Sequence, residues 1–221
     1  STMGSIFRMK VLVTKDLIEE LKVLYDACYV MGGPQIRNRA TLAGNICDAS
    51  PASDGAAPLL VLDAEVEILS KQGKRVVNIN DFFIGYKKVN LNSNELVTKI
   101  IIPITKGNSS YQKVGNRNAL AISLLSLAYK ENNGYIKYAV ASLHEMPVRL
   151  LNVEAYINNK ELKEQVQEQV QKQTLEQALE QALLKDISPI TDVRATKEYR
   201  IKVTLNLLKE SLKKEFGYEF N

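Results

Sequence analysis

The chain has no tryptophan, one histidine and only two cysteines among its 221 residues. With His144 as the sole imidazole, a multi-histidine metal site is excluded within the chain, and His144 is read as structural. Cys28 and Cys47 have neither the paired spacing of a metal site nor the number needed for a disulfide framework, which fits a reducing cytoplasm. No apolar run reaches the roughly 18 residues of a transmembrane helix, and the N-terminal residues lack the apolar stretch of a secretory signal. There is no basic block either. The 29 Lys and Arg residues nearly balance 25 Asp and Glu, giving a net charge of +4. These charges are interleaved along predicted helices, so neither nucleic acid nor a membrane is an expected partner. No spacing pairs a nucleophile with a base, so no catalytic residue and no metal ligand is assigned.

What the chain does hold is a run of small and polar residues from Gly33 to Asp54. Such a run buries little apolar surface. Ala43 and Gly44 leave room for close backbone approach, and successive exposed amides make a concave donor site for phosphate oxygens. Thr41, Ser50 and Ser53 add hydroxyls, Asn45 adds an amide, and Asp54 can accept from a sugar or polyol hydroxyl. The run reads as a loop between a helix and a strand, suited to a nucleotide cofactor held without a P-loop.

Around it, residues 15–31 read as an amphipathic helix with Leu17, Leu21, Leu24, Cys28 and Met31 on one face, stopped by Gly32-Gly33-Pro34. Ala56 to Leu62 is a short apolar helical turn packed under the loop. Residues 64–70 and 75–79 form a hairpin, and 96–102 form a further strand. A boundary is expected on the turn residues 106–110. Beyond it, 111–114 form a short strand. Residues 119–130 and 135–143 form a long hairpin with a type I′ turn at Asn133-Gly134, although 118–122 also suits a helix start. Pro147 to Ile157, the glutamine-rich stretch 162–184 and residues 195–216 read as amphipathic helices.

The run from Pro34-Gln-Ile-Arg-Asn38 through Ala40-Thr-Leu-Ala-Gly-Asn-Ile46 and Ala49-Ser-Pro51 to Asp54 resembles the flavin-binding segment of the FAD subunits of molybdenum hydroxylases, the family of xanthine dehydrogenase and the carbon monoxide dehydrogenase medium subunit. Ala43 stands where that pattern has the first glycine of a pair. Phe82-Phe-Ile-Gly-Tyr-Lys87 fits the same family. So do three stretches of the second half: Tyr111-Gln-Lys113 with Arg117, Pro147-Val-Arg149 with Val153-Glu154, and Asp192-Val-Arg-Ala-Thr-Lys-Glu-Tyr-Arg200.

The resemblance implies an α+β chain. A truncated FAD-binding α/β domain, residues 1–106, would precede a C-terminal domain of antiparallel sheet plus helices, residues 107–221. It also implies an oxidoreductase subunit that passes electrons from iron–sulfur clusters through FAD to NAD or another acceptor. Molybdopterin and two iron–sulfur clusters would lie on partner subunits, and the isolated chain would not turn over the holoenzyme's substrate. The implied cofactor contacts are Thr41, Ala43, Gly44 and Asn45 toward the pyrophosphate or ribityl chain, and Asp54 toward a ribityl or ribose hydroxyl. Leu91, six residues after Gly85, and Lys113 complete the set. Arg37 and Arg117 are read as ordering residues. The glycine-rich loop with which family members hold the other side of the pyrophosphate is not found before Thr41. An alternative reading is therefore a non-catalytic assembly fragment that no longer binds FAD by itself. A glutamine-rich interaction protein would explain only residues 160–185.

Overall fold

The computed structural model describes residues 2–4, 19–116, 122–159 and 172–220. Helix α1, Lys22–Val30, buries Val23, Leu24, Ala27 and Cys28 on one face. It stops at Met31-Gly32, where Gly32 takes φ +48. The following stretch is not the loop expected from its composition. Two short helices occupy it: α2, Pro34–Arg39, and α3, Leu42–Cys47. Local chemistry accounts for both. Pro34 at the first turn costs no hydrogen bond and presets φ, and the Thr41 hydroxyl caps α3 by accepting from the Gly44 N–H at 2.9 Å. Arg37 folds back to donate to the carbonyls of Met31 and Gly32 at 3.0 and 2.8 Å, so it orders the turn. Helix α4, Ala56–Val61, follows with all six residues buried. The segment 15–18 of the expected first helix lies outside the described residues.

An antiparallel sheet comes next. It is built from β1 (Thr2–Gly4), β2 (Glu65–Ser70), β3 (Gly73–Asn78) and β6 (Leu96–Ile101), in the order β1-β6-β2-β3. Val66, Ile68, Val97 and Ile100 turn inward. Between β3 and β6 lie a one-turn helix α5, Ile79–Phe82, and a small ribbon of β4, Phe83–Gly85, with β5, Lys88–Val89. Arg75 staples this region, donating to Glu95 at 2.7 Å and to the Asn90 carbonyl at 2.8 Å.

The second sheet runs β10-β9-β8-β7, again antiparallel, with β7 at Ser109–Val114, β8 at Leu125–Asn132, β9 at Tyr135–Ala141 and β10 at Val148–Arg149. The β8–β9 hairpin turns on Asn133 and Gly134 with φ +51 and +78, the two positive values a type I′ turn needs. Strand β8 begins at Leu125; residues 119–121 of the longer expected strand lie outside the described residues. The expected helix from Pro147 starts only at Leu151, because Val148 and Arg149 first pair with Val140 and Ala139.

Period-two alternation sorts the faces of this sheet. Tyr111, Ala128 and Ala139 are cross-strand neighbours on one face. They join the core that α1 and α4 supply, the two alanines leaving room for a close helix. Leu125, Leu127 and Val140 belong to a second core. It is closed by α6 (Leu151–Ile157), α7 (Lys172–Asp186) and α8 (Lys197–Phe216), which contribute Leu175, Leu179, Leu208 and Leu212 among others. The second sheet is therefore covered by helices on both faces. The architecture is α+β, as the sequence implied. Among the described residues no helix is long and apolar enough to cross a membrane, and no group of His, Cys, Asp and Glu side chains could hold a metal.

Candidate functional site

Asp54 sits on the turn between α3 and α4, only 7% exposed. Its two oxygens take one donor each: the Tyr111 hydroxyl at 2.6 Å and the Lys113 ammonium at 2.8 Å. Both donors come from β7. Residues two apart on a strand share a face, so the Tyr-x-Lys spacing delivers two donors to one carboxylate. Burial, followed by the charge of Asp54, pushes the Tyr111 phenol well above its ordinary range, so it stays protonated and donates. The same two causes push the neighbouring Cys28 thiol up to about 12. The Asp54 and Lys113 side chains are 9% and 10% exposed, so this ion pair is shielded from water on most sides.

The loop around Asp54 is braced from within. The Asn45 side-chain carbonyl accepts from the Ser53 hydroxyl at 2.7 Å and the Gly55 N–H at 3.1 Å. A Cβ on residue 55 would meet the Asn45 Oδ1 at 2.6 Å, so only glycine fits beneath that bridge. A Cβ on residue 44 would lie 2.9 Å from the Thr41 hydroxyl oxygen, so a larger residue there would shift the capping hydroxyl. The Ser142 N–H ties the loop to the end of β9 by donating to the Pro51 carbonyl at 2.7 Å.

Over this base opens a cleft of about 510 Å³. Thr41, Gly44, Asn45, Asp54 and Lys113, five of the seven residues expected at a cofactor, line it together. The other two do not. Ala43 is buried in the core beneath the cleft, 6% exposed. Leu91 is half-buried and packs against the first hydrophobic core. The donors also differ in part from expectation. The Gly44 N–H is already engaged by Thr41 and the Asn45 carbonyl by Ser53 and Gly55, so a ligand would meet the Thr41 hydroxyl hydrogen and the Asn45 NH₂. Arg117 lies outside the described residues.

A second cleft, about 800 Å³, adjoins the first and shares Ser50, Ala52, Ile122 and Ser123 with it. Sequence reasoning assigned no site here. Arg200, 3% exposed, projects from α8 and donates to the carbonyls of Leu124 and Ser142 and to Asp192, the last at 2.8 Å. Burial raises the Asp192 carboxyl, but the N–H groups of Arg194 and Ala195 together with Arg200 outweigh it and hold the carboxyl below its usual range. Thr196 caps α8 by accepting from the Tyr199 N–H at 3.2 Å. The motif from Asp192 to Arg200 thus builds one wall of this cleft. Buried polar atoms with no hydrogen bond face the same region: Ser123 Oγ, His144 Nδ1 and Arg200 Nε. The Asp192–Arg200 motif was a usable signal for this wall. Ser123 and His144 carried none, because each is a single residue in an unremarked stretch.

Comparison with known proteins agrees with this layout. Residues 1–105 match the family model of the FAD binding domain in molybdopterin dehydrogenase, and residues 110–214 match that of the CO dehydrogenase flavoprotein C-terminal domain. The chain is 30% identical over 218 residues to the glyceraldehyde dehydrogenase medium chain of Sulfolobus acidocaldarius, covering 96% of this chain and 74% of that protein. It is 32% identical over 198 residues to the xanthine dehydrogenase FAD-binding subunit of Escherichia coli O157:H7, covering 86% of this chain and 65% of that one. Among solved structures, carbon monoxide dehydrogenase from Hydrogenophaga pseudoflava superposes with a TM-score of 0.79 at 21% identity, over 95% of this chain and 72% of that chain. Quinoline 2-oxidoreductase from Pseudomonas putida 86 gives 0.80 at 17% identity, over 96% and 73%. These two likenesses carry the fold. The matched sequence families and the glyceraldehyde dehydrogenase relative place the chain itself in the family of FAD-binding medium subunits of molybdenum hydroxylases.

Proposed function

We propose that the cleft over Asp54 holds FAD and that the chain serves as the flavin subunit of a molybdenum hydroxylase. The observation that carries this reading is the convergence of Thr41, Gly44, Asn45, Asp54 and Lys113 on one cleft. Their chemistry fits a dinucleotide. The Thr41 hydroxyl and Asn45 NH₂ donate to phosphate oxygens, and the Lys113 ammonium offsets negative charge. Asp54 has lone pairs left, after its two donors, for a ribityl or ribose hydroxyl. Bound FAD would supply the redox chemistry, taking electrons from iron–sulfur clusters of a partner subunit and giving them to NAD or another acceptor. The chain's part is to bind, orient and shield. The adjoining cleft, which shares Ser123 and Ile122 with the first, is where an acceptor would approach.

The same reading divides the chain near residue 106 into an FAD-binding domain and a C-terminal domain; the turn at Gly107, φ +105, and the limits of the two family matches support it. It assigns the substrate-oxidising molybdopterin to a partner subunit, two iron–sulfur clusters to another, and the assembly to the cytoplasm. The chain spans 65% of the length of the Escherichia coli relative. One observation favours the second reading, an assembly fragment: the Gly44 amide and the Asn45 carbonyl are already satisfied within the loop. Purified protein decides between them. A yellow protein with flavin absorbance, or one that quenches FAD fluorescence on titration, upholds the flavin subunit. Colourless protein whose thermal midpoint ignores added FAD upholds the fragment.

A further inference from the structure

We infer that Tyr111 is a positioning residue for the Lys113 ammonium, acting through Asp54; its consequence for a cofactor rests on the reading of the cleft as an FAD site. Asp54 and Lys113 both line the cleft, whereas Tyr111 is not part of its wall. The ring is 8% exposed and belongs to the first hydrophobic core, a place that phenylalanine would fill equally well. What phenylalanine would lack is the hydroxyl, and that hydroxyl points at Asp54 Oδ1 at 2.6 Å.

The carboxylate is held by two donors on two different oxygens, which fixes its rotation about the Cβ–Cγ bond. Lys113 bonds only Oδ2, at 2.8 Å. Its place on the cleft wall is therefore set by where the phenol holds the other oxygen. Take the hydroxyl away and the buried carboxylate is one donor short. It then swings to share Lys113 between both oxygens, and the ammonium is drawn from the cleft. A residue without access to a ligand thus sets how much positive charge the ligand meets. The strand register makes the coupling stiff: Tyr111 and Lys113 are pinned opposite Ala128 and Ser126 of β8, so neither donor can slide along the strand.

The test combines Tyr111→Phe and Lys113→Met, singly and together, in the natural background and with Asp54→Asn. In FAD-free protein, urea unfolding of this cycle reads the coupling. The expected result is non-additivity of about threefold or more in the unfolding equilibrium constant, a size usual for members of one network, which disappears once Asp54 is asparagine. With FAD added, Tyr111→Phe shifts the flavin midpoint potential and absorption bands in the same direction as Lys113→Met, by a smaller amount. Additive single variants, or a potential that responds to Lys113→Met and not to Tyr111→Phe, overturn the inference. Failure of the natural protein to bind FAD would instead remove the cofactor reading, and the unfolding cycle would still decide whether Tyr111 acts on Lys113.

Discussion

Arg149 reaches the Asp63 carboxylate at 3.0 Å and thereby ties the end of α4 to the second sheet. Asp63 also pairs with Lys137 of β9, and the Arg149 guanidinium donates onward to Glu154 through Nε at 2.7 Å. Glu154 is 3% exposed at its side chain and accepts in addition from the Tyr138 N–H at 2.9 Å. Helix α4 is thus anchored at both ends. Asp54 before it holds Tyr111 and Lys113, and Asp63 after it holds Lys137 and Arg149. Removing Arg149 leaves a buried carboxylate unpaired. Arg149→Leu is expected to cost about 3–5 kcal/mol in urea unfolding. Arg149→Lys restores part of this, since an ammonium supplies charge but not the two-pronged fit. A loss below about 1 kcal/mol for Arg149→Leu would show that the network is not what holds α4.

Asp54→Ala is expected to lower FAD affinity by about 10- to 150-fold, the loss of one charge-assisted hydrogen bond at roughly 1.5–3 kcal/mol. The fold should persist at a cost in stability, because Lys113 on the cleft wall can turn toward the cleft while the buried Tyr111 hydroxyl loses its acceptor. Fluorescence titration with FAD alongside a circular dichroism melt separates the two effects. Flavin occupancy equal to that of the natural protein would remove Asp54 from the cofactor site.

The Arg75 guanidinium, assisted by the Asn92 N–H, holds the Glu95 carboxyl at about 2. An unfolded glutamate titrates near ~4.3. The contribution of this pair to stability is therefore complete above that value and fades as pH falls toward 2. Glu95→Gln should flatten that part of the acid limb of a stability–pH curve and leave the curve's shape above about pH 5 unchanged. An acid limb of the same steepness in the variant would contradict the assignment.

Cys28 should resist alkylation in the folded protein. It is 2% exposed, and its thiol is pushed up to about 12 by burial and by Asp54. The thiolate is the reactive form. Iodoacetamide at pH 8, followed by peptide mass spectrometry, should modify Cys28 only after denaturant is added. Labelling under native conditions would mean that the α1–β7 packing opens.

The chain by itself should not oxidise a purine or an aldehyde. The proposed function puts substrate oxidation on the molybdopterin of a partner subunit and leaves this chain the flavin. Turnover with an artificial electron acceptor in the absence of partner subunits would reject the proposed division of labour.

Several features were legible before any fold was known. The hairpin turn at Asn133-Gly134 follows from the positive φ that asparagine and glycine tolerate. The last helix follows from an apolar stripe that includes Leu208 and Leu212, and the Gly33–Asp54 run stood out by its small side chains and was read there as a place for a nucleotide. The helices α2 and α3 inside that run were missed because composition suggested a loop, while Pro34 and Thr41 carried the weaker, positional signal of helix starts. Pro147 misled for a related reason. Proline suits a first helical turn, but pairing of Val148 and Arg149 with β9 took precedence over local preference.

The chain order alone settled those elements whose signal is local: a cap, a turn, a stripe repeating every three or four residues. Through the resemblance they carry, it also pointed to Asp54 and the Tyr-x-Lys strand. It could not say that they meet. Asp54 and Tyr111 are 57 positions apart, and their contact exists because α4 lies against the alanine face of the second sheet. The same packing left Leu91 against the core and gathered Ser123, His144 and Arg200 around a second cleft. Contacts between distant segments depend on how whole faces dock, and spacing along the chain holds no measure of that.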